Sequence, residues 1–175
     1  MIWTALLRGA RSLPPELIAQ HRKRVLLLDP RSIISSLQLH IAAATSIHRQ
    51  AAGLLRTTTL ATDLLGCLCL SRKESIQKQM TYSQEHSTDL LIVAPEETDE
   101  TAFQQLLQGI SGERWVPLSE LDDDITMPAN GVLMDHPKVQ WLLQLNKLKG
   151  ADVLGGGVKG LEHAIVTLMA AKDHM

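Results

Sequence analysis

"RVLLLDPRSIISS" occupies residues 24–36, and how it divides decides what kind of fold follows. Its first half, "RVLLLD" at 24–29, is a short continuous apolar run and reads as a buried strand. At Asp29-Pro30 the chemistry changes. An aspartate can accept from the free N–H groups of a first helical turn, and proline at the first helical position has no N–H to leave unpaired. The reading is strand, cap, helix, with Asp29 as cap, a helix running to about Ala52, and Gly53 stopping it. Ile33, Leu37, Ile41, Ala44 and Ile47 fall on one stripe at the helical period, and that stripe is expected to face the core.

Downstream, "GLLRTTTLATDLLGCLCLSR" at 53–72 opens a second helix. Thr58 or Thr59 can supply its N-cap. Leu60, Leu64 and Leu68 then fall at i, i+4 and i+8, with Leu65 and Cys67 widening the face. From Leu54 to Ser71 the only ionised side chains are Arg56 and Asp63. That is more apolar surface than one packing contact requires. A third, amphipathic helix is expected from about Arg72 to Thr81, carrying Ile76 and Met80.

Further strands are read at "TALL" near the start and at "DLLIVAPEE", residues 89–97, with a helix between the first two strands from about Pro14 to His21. Helices follow at 99–112 and 136–148, separated by "RWVPLSELDDD", which suits a short strand, a helical turn and an acidic loop. "KGADVLGGGVKG" at 149–160 reads as a flexible loop, and "LEHAIVTLMAAKDHM" as a closing helix. The chain is mixed α and β, with more helix than sheet.

Its 175 residues suit a single domain, 1–175, and its 45% apolar and 21% charged content is ordinary for a globular protein. Aromatics make up 3%, so aliphatic side chains must fill the core. No apolar run approaches the roughly 20 residues of a membrane span. The opening shows no small-residue cleavage site, and Cys67 and Cys69 offer no disulfide framework. These features predict a soluble chain in a reducing compartment.

Charge is uneven. Residues 1–80 hold eleven Lys/Arg against four acids, and residues 81–175 hold six against fifteen. A basic and an acidic face would result if the halves were also separate in space. The densest basic cluster is "QHRKR" at 20–24, with Arg22, Lys23 and Arg24. Together with Arg56 and other first-half arginines it offers the positive potential that nucleic-acid backbones require. No aromatic stacking set accompanies it, which argues against reading of bases. Solvated surface is the plainer alternative for these residues.

No active site assembles. "LGGGVKG" fails the P-loop pattern, because Lys159 precedes its glycine and no Ser or Thr follows. Cys67 and Cys69 lie two apart on a helix and point away from each other, so they cannot share one metal ion. No serine or cysteine sits in a nucleophile context. Neither a metal nor a cofactor is expected.

The span Leu28–Val93 resembles the small subunit of the KEOPS complex, the TPRKB or PRPK-binding protein family. The resemblance rests on "LLLDPRSIISS" at 26–36, "GLLRTTTLATDLL" at 53–65, "LSRKESI" at 70–76 and "LLIV" at 90–93, with a matching last helix, "HAIVTLMAAKDHM". Residues 111–135 match loosely, and "GADVLGGGVKG" resembles an insertion. Asp63 stands where Glu is usual, and Gln79 where a small residue is usual.

The resemblance implies a small, mostly antiparallel sheet of about four strands surrounded by helices. It implies a non-enzymatic subunit that binds a PRPK-type kinase/ATPase directly, and an OSGEP-type threonylcarbamoyltransferase and other KEOPS subunits indirectly. Such a subunit supports threonylcarbamoylation of the adenosine beside the tRNA anticodon, holds tRNA in archaeal relatives, and is cytoplasmic and nuclear. Leu60, Leu64, Leu65, Leu68, Ile165 and Met169 are then candidate kinase contacts, although Leu64 and Leu68 have a plainer reading as core. Two alternatives remain: a stand-alone RNA-binding module using the basic N-terminal half, and an enzyme of a type the sequence does not announce.

Overall fold

The computed structural model describes residues 2–173 except 12, 22, 72 and 96–98. A four-stranded sheet organises them, with β1 (Ile2–Arg8) and β3 (Leu90–Pro95) at its centre and β2 (Leu26–Leu28) and β4 (Arg114–Val116) at its edges. Every pairing is antiparallel, with Leu6 opposite Leu91 and Val116, and Leu27 opposite Ile92. The expected fold class, a small antiparallel sheet wrapped by helices, is what forms.

Strand alternation explains the layers. Successive side chains of a strand point to opposite faces. Leu6, Leu91 and Val93 therefore enter one apolar cluster, and Leu7, Leu90 and Ile92 enter another. The first is covered by α2 (Ser36–Ala51), α3 (Leu60–Leu68), α6 (Pro137–Asn146) and α8 (Gly157–Asp173). The second is covered by α1 (Pro15–His21) and α5 (Glu100–Gln108), whose Phe103 stacks on Trp3 with centroids 6.4 Å apart. All six residues of β3 are buried, as a run without polar alternation requires.

The Asp29-Pro30 junction differs from the expectation. Asp29 does cap, accepting from the Arg31 N–H, but the element it starts is a single 3-10 turn, Pro30–Ser32. The chain then extends through Ile33 and Ile34, which are buried, and α2 begins at Ser36 with Ser35 as N-cap. The turn is held from outside: Trp141 Nε1 donates to Ser32 Oγ at 3.2 Å, and the Arg31 guanidinium lies 5.1 Å from the Trp141 ring centroid. A second cap three residues on, available in Ser35, is what lets the chain stop and restart.

The segment 149–160 is not an open loop. It contains α7 (Gly150–Val153), a 3-10 turn Leu154–Gly156 and the first turn of α8. A Cβ on Gly160 would meet the Val153 carbonyl oxygen at 2.5 Å, so the two helical pieces approach backbone to backbone. α4 (Glu74–Met80) lies inside its expected span, whose start at Arg72 falls outside the described residues. Among the described residues, no helix is long and apolar enough to cross a membrane.

Candidate partner-binding surface

α2 packs on α3 and on α8. Its buried side is Leu39, Ala42, Ala43 and Ser46, small enough for α3 to come close. On the opposite side Leu37 is 48% exposed, Ala44 and His48 are exposed, and Ile41 is half-buried. Leu37, Ile41 and Ala44 belong to the stripe the periodicity assigned to the core, of which Ile33 is buried and Ile47 half-buried. From Ser36 to His48 the helix carries no formal charge. α8 repeats the pattern: between Glu162 and Lys172 no side chain is formally charged, and His163, Thr167, Leu168 and Ala171 are exposed. Two packed helices thus present outer faces without fixed charge, the kind of surface that marks protein–protein contact.

α3, by contrast, is spent on folding. Its N-terminus is closed by a capping box in which Thr59 and Thr62 each accept from the other's backbone N–H. That selects Thr59 from the two candidate caps. Leu60, Leu64 and Leu68 are at most 1% exposed. Asp63, 2% exposed, accepts from Arg49 at 3.3 Å and from the Arg56 backbone N–H at 3.0 Å. The far end of the helix is closed by Lys172 of α8, whose Nζ donates to the carbonyls of Gly66 and Cys69.

This hardware borders a polar cleft of about 500 Å³. Arg49, Arg56 and Lys172 supply three cationic side chains to it, Thr57 a hydroxyl and Asp63 a carboxylate. The α2–α3 connection, with its run of threonines, forms one wall.

A model of the family described as kinase binding protein CGI-121 matches residues 9–173. The chain belongs to this kinase-binding family. No curated protein matches it. The match spans β2, β3, β4 and the helices described above, and begins one residue after the end of β1. It therefore includes residues 111–135, which resembled the family only loosely by eye.

Burial sorts the candidate contact residues. Five of the six proposed kinase contacts, Leu60, Leu64, Leu68, Ile165 and Met169, are core residues, at most 4% exposed. A side chain already surrounded by the sheet and neighbouring helices has no surface to offer a partner. Leu65 alone of the six is half-exposed. Leu37 and Ala44, expected in the core, are exposed, and Ile41 is half-buried against it. The missed signal was that α2 carries apolar residues on two opposite sides, one made mainly of alanine.

The basic residues divide similarly. Arg8 donates to Asp89 at 2.8 Å and to Asp124 at 2.5 Å, and Lys138 reaches Asp124 at 3.0 Å. The basic and acidic halves of the sequence are therefore interleaved here, and Arg8 joins an ion cluster, not a basic face. Within that cluster burial holds the Lys138 ammonium below its ordinary range, with the Asp124 charge opposing. Lys23 and Arg24 are exposed just beyond α1, and Arg56 is exposed at the cleft. Arg22 lies outside the described residues. Among the described residues no group of three or more His, Cys, Asp or Glu could hold a metal.

Proposed function

We propose that this chain binds a PRPK-type kinase through the outer face of α2, and that through this kinase it serves a KEOPS complex in tRNA threonylcarbamoylation. The observation that carries the reading is the uncharged stripe of exposed Leu37, half-buried Ile41 and exposed Ala44, beside the equally uncharged outer face of α8. A few aliphatic anchors that become fully desolvated carry most of the energy of an interface. An α2 stripe free of fixed charge pays little desolvation cost on docking. In this role the chemistry falls to an OSGEP-type subunit contacted by the kinase, and the chain works where that complex works, in cytoplasm and nucleus.

Co-expression with the kinase of the same organism, followed by size-exclusion chromatography, tests the proposal. A stable heterodimer is expected. Ala44→Asp places a charge at the centre of an exposed stripe, so it leaves folding intact and abolishes co-elution. Co-elution of the folded Ala44→Asp protein would move the contact off α2. Leu64→Glu does not discriminate, because a charge at a fully buried position unfolds the chain.

A second reading, direct contact with tRNA, is supported by the cleft with Arg49, Arg56 and Lys172. Phosphate contacts by cationic side chains make affinity fall steeply with salt. Arg56→Gln is expected to weaken tRNA binding and flatten its salt dependence without loss of kinase binding. An isolated protein that binds tRNA tightly but no kinase would favour a stand-alone RNA-binding module.

A further inference from the structure

A second concavity, of about 430 Å³, lies along the outer edge of β2, where the two apolar layers meet. Nothing in the kinase or tRNA reading uses it. Leu17 and Ile18 of α1, Leu65 of α3, Leu106 of α5, and Val25 and Leu27 in and just before β2 line it. Its size is that of a small-molecule site, and such sites are mostly apolar with a few placed polar groups.

The titratable nitrogen groups lining the groove are His21 and Lys78, no carboxylate lines it, and Thr62, Thr81 and Tyr82 add hydroxyls that can donate. Lys78 reaches Glu74 at 3.0 Å, but both side chains are more than 70% exposed. An exposed pair of this kind contributes little and yields readily to a better partner. Beside the groove the Leu27 carbonyl accepts from the Tyr82 N–H at 2.9 Å, so the backbone of this edge is already engaged. An apolar trough whose lining carries a lysine, a histidine and hydroxyls, but no carboxylate, suits an apolar ligand with one anionic head.

We propose that this groove binds a small amphipathic carboxylate, its chain lying along β2 between Leu17 and Leu65 and its carboxylate at Lys78 and His21. The charge complementarity selects this occupant over a neutral or cationic amphiphile. A carboxylate accepting from Lys78 makes the charge-assisted bond that sets orientation. The ligand is not needed to complete the core, whose Leu64 and Leu91 are fully buried without it.

Decanoate is the probe, titrated into the full chain carrying ¹³C-labelled leucine and isoleucine methyls. Saturable shifts at Leu17, Leu65 and Leu106 are expected, with methyls of the α2 stripe unmoved. Ile18→Trp, a substitution at an exposed wall position, is expected to weaken decanoate at least tenfold by filling the trough. Lys78→Gln is expected to weaken decanoate about fivefold and to leave decanol unchanged. Circular dichroism checks that both variants stay folded. Absence of saturable shifts at millimolar decanoate overturns the proposal, and so does equal affinity for decylamine. A leucine-ending peptide that shifts the same methyls where decanoate fails would replace it with a peptide site.

Discussion

Lys172 Nζ donates to the Gly66 carbonyl oxygen at 2.7 Å, although 106 residues separate them in sequence. The last carbonyls of a helix have no partner within it, and a cation placed there satisfies them and the helix dipole together. The C-terminal end of α8 is thereby tied to the C-terminal end of α3. Lys172→Met keeps the apolar stem and removes the donor. Urea unfolding is expected to show a loss of about 1–2 kcal/mol, with hydrogen exchange rising in the last turns of both helices. Unchanged exchange there would remove the tie.

Asp63 is the second fastener of α3, holding Arg49 of α2 and the backbone of Arg56 from a site 2% exposed. Removing the carboxylate charge weakens both contacts at once. Asp63→Asn is expected to cost about 2 kcal/mol in urea unfolding. In an Arg49→Met background the same substitution should cost less, because the two side chains share the interaction being removed.

Glu162 gives the fold a testable acid limb. Desolvation pushes its carboxyl up, but hydrogen bonds from Lys159 and Ser35 and the Lys159 charge outweigh it, so the folded pKa lies below the ordinary 4.5. A depressed carboxylate pKa contributes stability that is fully present above 4.5 and is lost as pH falls through the folded value. Wild type should therefore exceed Glu162→Gln in unfolding free energy above pH 4.5, and the gap should close on further acidification. A gap that is constant with pH would mean the substitution acts through packing alone.

Gly160→Ala tests the close approach of α7 and α8. Alanine is the better helix former by about 1 kcal/mol, so a stabilised protein would mean the helices can part freely. The 2.5 Å clash with the Val153 carbonyl predicts the opposite, a net loss of about 1 kcal/mol in thermal or urea unfolding.

The periodic signals in the chain were local and legible. The apolar run at 90–95 reads directly as a strand buried on both faces. Thr58 or Thr59 reads as a cap, and "RWV" as a short strand before a helical turn. Asp29 was legible as a cap but not as the cap of one turn, because the partner that stabilises the turn, Trp141, lies 109 residues from Ser32. The glycine-rich segment looked open because three consecutive glycines carry no side-chain signal. The close approach at Gly160 is visible only once Val153 is in place.

Composition and patterning by themselves determined that the chain makes a mixed sheet-and-helix fold with an aliphatic core and no evident catalytic motif. The motifs at 26–93 carried the resemblance to its family. What they could not determine is which side of α2 turns inward. That helix has two apolar sides about half a turn apart, and residue size in sequence favours Leu37 and Ile41 for the core. Tertiary structure chose Leu39, Ala42, Ala43 and Ser46, because small side chains let α3 pack closely and gain more contact than bulkier ones would. The larger side chains were left outside. The surface proposed for the kinase is the side of α2 that this packing left unburied.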